Sequence, residues 1–84
     1  MVQPPEPVIL NSARKRKISD ADILHAFNNF IDVHEQDDEM IMYIGADRAG
    51  NLLEVGVVYS AEGRAVILHA MRARPKYLRL GGDT

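Results

Sequence analysis

An α+β fold, with one or two N-terminal helices packed on one face of a three- or four-stranded antiparallel meander sheet, is what the sequence predicts. Apolar residues recur at three- and four-residue spacing up to Ile31, the mark of helices with one buried face. Three strand-forming runs follow, at Met40–Ala46, Leu52–Tyr59 and Ala65–Met71. Only D-R-A-G-N and S-A-E-G separate them, which leaves no room for a crossover helix, so neighbouring strands must run antiparallel.

Each element has its own signal. Residues 1–7 carry three prolines and no periodicity, which predicts an extended arm; residues 8–79 form a single α+β domain, and 80–84 a loose tail. Val8, Ile9, Ser12, Ala13 and Arg16 fall at helical spacing and predict a short helix ending near Lys17, with an extended segment pairing with the sheet as the competing reading. Ser19 is a preferred N-cap with Asp22 three residues on, so the second helix starts at Asp20. Its stripe is Ile23, Phe27, Phe30 and Ile31, backed by Ala26. Val33 to Glu39 reads as an acidic loop.

The short loops set a register in which Ala46 lies opposite Asn51 and Tyr59 opposite Arg64. One face then holds Met40, Met42, Ile44, Leu53, Val55, Val57, Val66, Leu68 and Ala70, the face for helices to cover. On the other, Tyr43, Glu54 and His69 line up across three strands. A bulge in either hairpin would break that row.

Bulk properties narrow the class. The chain of 84 residues has room for one small core, and with no cysteine it has neither disulfides nor thiolate ligands, as suits a reducing, cytoplasmic setting. No apolar run approaches membrane-spanning length, and M-V-Q-P-P-E-P has none of the features of a signal peptide. The net charge of -2 is unevenly spread. Arg14, Lys15, Arg16 and Lys17 form one basic block, Arg72, Arg74, Lys76 and Arg79 another, with most acids between them. Two such blocks suit a polyanion if they meet in space, and a solvated face if they do not.

Tyr43, Glu54 and His69 have the donors and acceptors of an acid/base set, in which a carboxylate orients an imidazole; an ordinary cross-strand pair is the plainer reading. In R-A-R-P-K, Arg72 and Arg74 share one side of an extended chain, where two guanidiniums suit a phosphodiester. Salt bridges to the acidic connector or to a partner protein are the alternative. His25, His34 and His69 lie on different elements without ligand spacing, so no metal is expected. With no phosphate loop, dinucleotide fingerprint or nucleophile elbow, no cofactor is expected either.

The segments S-A-R-K-R-K-I-S-D-A-D-I-L-H-A-F, M-Y-I-G-A-D-R-A-G-N-L-L-E-V-G-V-V and V-I-L-H-A-M-R-A-R-P-K-Y-L resemble the BrnT-like toxins of bacterial type II toxin–antitoxin pairs, which share the RelE fold. The resemblance spans Ser12 to Leu78. It implies a metal-independent endoribonuclease acting on mRNA, either free or ribosome-associated. A cognate antitoxin would neutralise it and alone contact operator DNA, with a dimer within the complex as a further expectation. By position, Arg72, Arg74 and Lys76 match the family's basic ending, and Lys15 the lysine of a Lys-His-Gly motif. Arg16 and Lys17 stand where that histidine and glycine would be; if that histidine transfers a proton, either His69 or Glu54 is the base or this member is weak or inactive. The candidate catalytic set is thus His69, Glu54 and Arg74, with Arg72, Lys76, Lys15, Arg16 and Tyr43 as RNA- or phosphate-binding residues. The rival expectation is a non-catalytic module that docks an acidic partner on its basic edge.

Overall fold

The computed structural model describes residues 6–78. Most of the expected arm, the tail and Arg79 of the second basic block lie outside them. In chain order come β1 (Val8–Ile9), α1 (Asp20–Asn28), β2 (Phe30–Glu35), β3 (Ile41–Ala46), β4 (Leu52–Tyr59) and β5 (Ala65–Arg72), with short 3-10 turns at Asn11–Arg14, Asp37–Glu39 and Pro75–Tyr77. The architecture is α+β, one helix on a five-stranded sheet of order β1-β5-β4-β3-β2. None of the helices described is long and apolar enough to cross a membrane.

The sheet is larger than expected and mixed rather than purely antiparallel. β1 pairs with β5 in parallel, Val8 with Val66 and Ile9 with Ile67, and the Leu10 N–H extends the pairing to the Ile67 carbonyl at 2.9 Å. The competing extended reading therefore holds at Val8 and Ile9, and a single 3-10 turn replaces the rest of the expected first helix. Two β-branched residues gain more by closing an open strand edge than a short helix ending in four cations could gain alone.

α1 begins at Asp20 as expected, with the Ser19 hydroxyl accepting the Asp22 N–H at 3.1 Å. It stops sooner than the apolar stripe implied. Asn29 leaves helical geometry, and both its backbone N–H and its Nδ2 donate to the His25 carbonyl. Phe30 and Ile31, expected on the helix, and Val33 to Glu35, expected in a loop, instead form β2. Ile23 and Ala26 bury the helix on β3 and β4, and it lies so close that a Cβ on Gly45 would collide with the Ala26 carbonyl.

Register decides which side chains share a face. Ala46 pairs with Leu52 rather than Asn51, and Tyr59 with Ala65 rather than Arg64, while a bulge between Gly56 and Val57 on β4 leaves Leu68 as an extra residue on β5. Leu53, Val55, Val57 and Ala70 keep their expected place under α1, joined by Ala65 and Ile67. Met42 and Ile44 fall on the opposite face, where Tyr77 covers them. That one-residue shift also turns Tyr43 toward the helix, so the predicted row of Tyr43, Glu54 and His69 does not form.

Candidate functional site

A buried carboxylate organises the second face of the sheet. Glu54 lies in the middle of β4, opposite Ile44 on β3 and Met71 on β5, and has no solvent exposure. His69, opposite Gly56, reaches it on the diagonal, with Nε2 2.9 Å from Oε2. Gly56 makes room for this: a Cβ there would sit 3.0 Å from both the His69 Cβ and the Met40 sulfur.

Arg74 arrives from beyond the strand. Pro75 starts a 3-10 turn, and Arg74 before it stays extended at φ −80° and ψ 154°, which folds the chain back over the sheet. Its backbone N–H donates to Oε1 at 2.9 Å, its Nε lies 3.0 and 3.1 Å from the two oxygens, and Nη2 donates to Oε2 at 2.6 Å. Tyr77 then seats its ring on Met42 and Ile44, donates its hydroxyl to Gln36 Oε1 at 3.2 Å and meets the His34 ring edge at 5.1 Å. The Arg74 guanidinium carbon and Lys76 Nζ stand 5.7 and 5.1 Å from the Tyr77 ring centre. Residues 73–78 thus cross the second face from β5 to β2.

The electrostatics follow from these contacts. Burial pushes the Glu54 carboxyl up, but donation from the Arg74 side chain, the Arg74 backbone and His69 outweighs it, and the group is held below the usual carboxylate range. Arg74 is raised, chiefly by its hydrogen bonds to Glu54. With Glu54 ionised, His69 Nε2 must carry a hydrogen, so Nδ1 is the nitrogen left to exchange a proton. The His69 side chain is 22% exposed and that of Arg74 44%, so both can reach a ligand from this face.

Of the residues singled out in the sequence, Glu54, His69 and Arg74 meet here, and Lys76 lies next to them on the Tyr77 ring. Tyr43 does not. On the helix side it packs edge-on against Phe27 and Phe30 at 4.9 and 5.0 Å and shares a 2.6 Å hydrogen bond with the Tyr59 hydroxyl. Burial, and then that bond, push it up to about 12. Arg72 pairs with Leu53 on the helix side of the strand end. Lys15 and Arg16 follow the first 3-10 turn, which is tied to β5 by the Ser12 hydroxyl donating to the Leu68 carbonyl at 2.7 Å. Among the described residues no side-chain hydrogen bond or ion pair engages Lys15, Arg16, Arg72 or Lys76, nor do three His, Cys, Asp or Glu side chains converge as metal ligands would. Tyr77 and Gly56 were missed as parts of the site. A glycine inside a strand run and an aromatic residue just after Pro-Lys are the signals that could have marked them. No protein-family model, curated protein or solved structure matches the chain, which leaves the geometry of the Glu54 cluster as the ground for a functional reading.

Proposed function

We propose that the chain is the toxin of a type II toxin–antitoxin pair, a RelE-like, metal-independent endoribonuclease acting on mRNA and neutralised by its antitoxin. The observation that carries the proposal is one buried, ionised carboxylate holding both an imidazole and a guanidinium at the same half-open face. A base and a cation, two groups that phosphodiester cleavage uses, are thereby held side by side. His69 Nδ1 takes the proton of a ribose 2'-hydroxyl, the 2'-oxygen bonds to phosphorus as the bond to the 5'-oxygen breaks, and water returns a proton to the 5'-oxygen. Arg74 and Lys76 neutralise the phosphate as charge develops on it, while Arg72, and Lys15 and Arg16 after a turn packed on the helix side, stand away from that face. Glu54 has both oxygens occupied and is a positioning residue rather than the base. One further feature supports the resemblance. Lys17, where the BrnT-like toxins carry glycine, has φ 64°, a conformation glycine adopts without strain.

A second reading rests on the same saturation of Glu54. A carboxylate with no exposure and four donors can serve to staple residues 73–78 to the sheet of a non-catalytic interaction module. The two readings part on RNA. Induced expression should arrest growth and shorten transcripts, and the purified chain, with or without translating ribosomes, should leave 2',3'-cyclic phosphate ends. His69→Gln, which keeps a donor for Glu54 but no base, should abolish cleavage, and Lys76→Ala should weaken it, while the melting temperature stays within a few degrees of the parent. Intact RNA in both assays, with normal growth, supports the module.

A further inference from the structure

β2 is the last strand of its sheet, and its outer edge pairs with nothing among the described residues. The Gln36 N–H donates to the Met40 carbonyl, which fixes the ladder's alternation: Asp32 and His34 turn their peptide groups toward β3, and Val33 and Glu35 turn theirs outward. The outward Val33 N–H is met only by its neighbour, Asp32 Oδ1, at 2.9 Å. Large apolar side chains crowd this short edge, with Phe30 49%, Ile31 69% and Val33 44% exposed. β2 has the charge and the bulge, between Phe30 and Asp32, that guard an edge, yet it also keeps three large exposed apolar side chains in four residues, more than guarding requires.

Charge selects the occupant. Asp32 and Glu35 lie on the strand and Asp37, Asp38 and Glu39 in the turn that follows, and Lys and Arg are absent from the whole span 30–39. A second copy would set one acidic edge against another, and like charges on adjacent strands repel.

We infer that the outer edge of β2 docks an extended cationic segment of another protein, which joins the sheet as a sixth strand. An incoming carbonyl replaces Asp32 as acceptor for the Val33 N–H, and incoming peptide groups engage those of Glu35. Lys or Arg at alternate positions pairs with the released Asp32 on the second face, while the residues between them lie on the helix side against Phe30 and Val33. This surface is distinct from the Glu54 cluster and stands whether or not the chain cleaves RNA.

A synthetic decapeptide of alternating Lys and Val is the probe, with a Glu–Val decapeptide and a Lys–Val decapeptide N-methylated at alternate residues as controls. Amide spectra and amide hydrogen exchange of the full chain are followed in titrations to millimolar peptide. The Lys–Val peptide should shift residues 30–36 and slow exchange at Val33 and Glu35 by about tenfold or more. The double variant Val33→Lys/Glu35→Lys should weaken binding by about tenfold, and both control peptides should leave these amides unprotected. The inference is overturned by no protection at millimolar Lys–Val peptide, by equal binding of either control, or by shifts centred elsewhere. Protection that rises with protein concentration alone is also decisive against it, since that assigns the edge to a second copy.

Discussion

At Glu54, four N–H groups converge on a carboxylate that touches no solvent, and three of the four belong to Arg74. Removing the Arg74 side chain would leave a buried charge with only His69 and one backbone amide. Arg74→Ala should therefore cost roughly 3 kcal/mol in urea unfolding, at the low end for a broken buried pair because the backbone donor remains. Glu54→Met/Arg74→Met should cost clearly less than Arg74→Ala, as no charge is then stranded. Lys17→Gly should raise stability by a few tenths to about 1 kcal/mol, as relief of left-handed strain exceeds the added entropy of the unfolded chain. Tyr43 can be checked by ultraviolet titration: with its pKa pushed up to about 12, tyrosinate should form there well above the ordinary value of 10.0. The neutral phenol's contribution to stability is present below pH 10.0 and is lost as pH rises toward about 12. The register estimate brought Glu54 and His69 together in the sequence reading, and the resemblance added Arg74 to the candidate set. What neither could reveal is that Glu54 is buried and saturated, because that depends on where Pro75 sends the chain.

Among the elements, α1 and strands β3 to β5 were legible because their signals are local: a serine cap, an apolar stripe and glycine-bearing turns. β1 was legible only as the competing reading and β2 not at all, since both are edge strands whose partners lie elsewhere in the chain, and short apolar stretches take the conformation that tertiary pairing rewards. The faces failed for a smaller reason. One residue more in each hairpin, and one bulge at Leu68, sufficed to move Tyr43 away from Glu54 while leaving His69 beside it. Packing of α1 gives a direct test. Because a Cβ on Gly45 would collide with the Ala26 carbonyl, Gly45→Ala must push helix and strand apart, at a cost of roughly 1–3 kcal/mol in thermal or urea unfolding.

The whole molecule is held by links between distant segments as much as by its core. Asp22 on α1 accepts both the backbone N–H and Nε of Arg48, tying the helix to the β3–β4 turn at 3.1 and 2.8 Å. The Arg48 side chain, then its backbone N–H, holds the Asp22 carboxyl at about 2 instead of 3.8. A depressed carboxyl stabilises the fold above its ordinary pKa and ceases to do so as pH falls through the depressed one. The stability difference between the parent and Asp22→Asn should thus be constant above pH about 5, shrink steadily below it and be mostly lost by pH about 2, as read from urea midpoints. Glu54 acts in the same direction, so acid should loosen the helix side and the second face together.

The crossing of residues 73–78 over the second face also has a consequence for the order of synthesis. β1 emerges early but waits for β5 before it can pair, and the carboxylate of Glu54 waits longer still, for Arg74. A nascent chain with all five strands exposed from the ribosome would hold His69 in place yet lack the guanidinium beside it. Whatever this face does, it cannot begin until translation has passed the last turn of the fold.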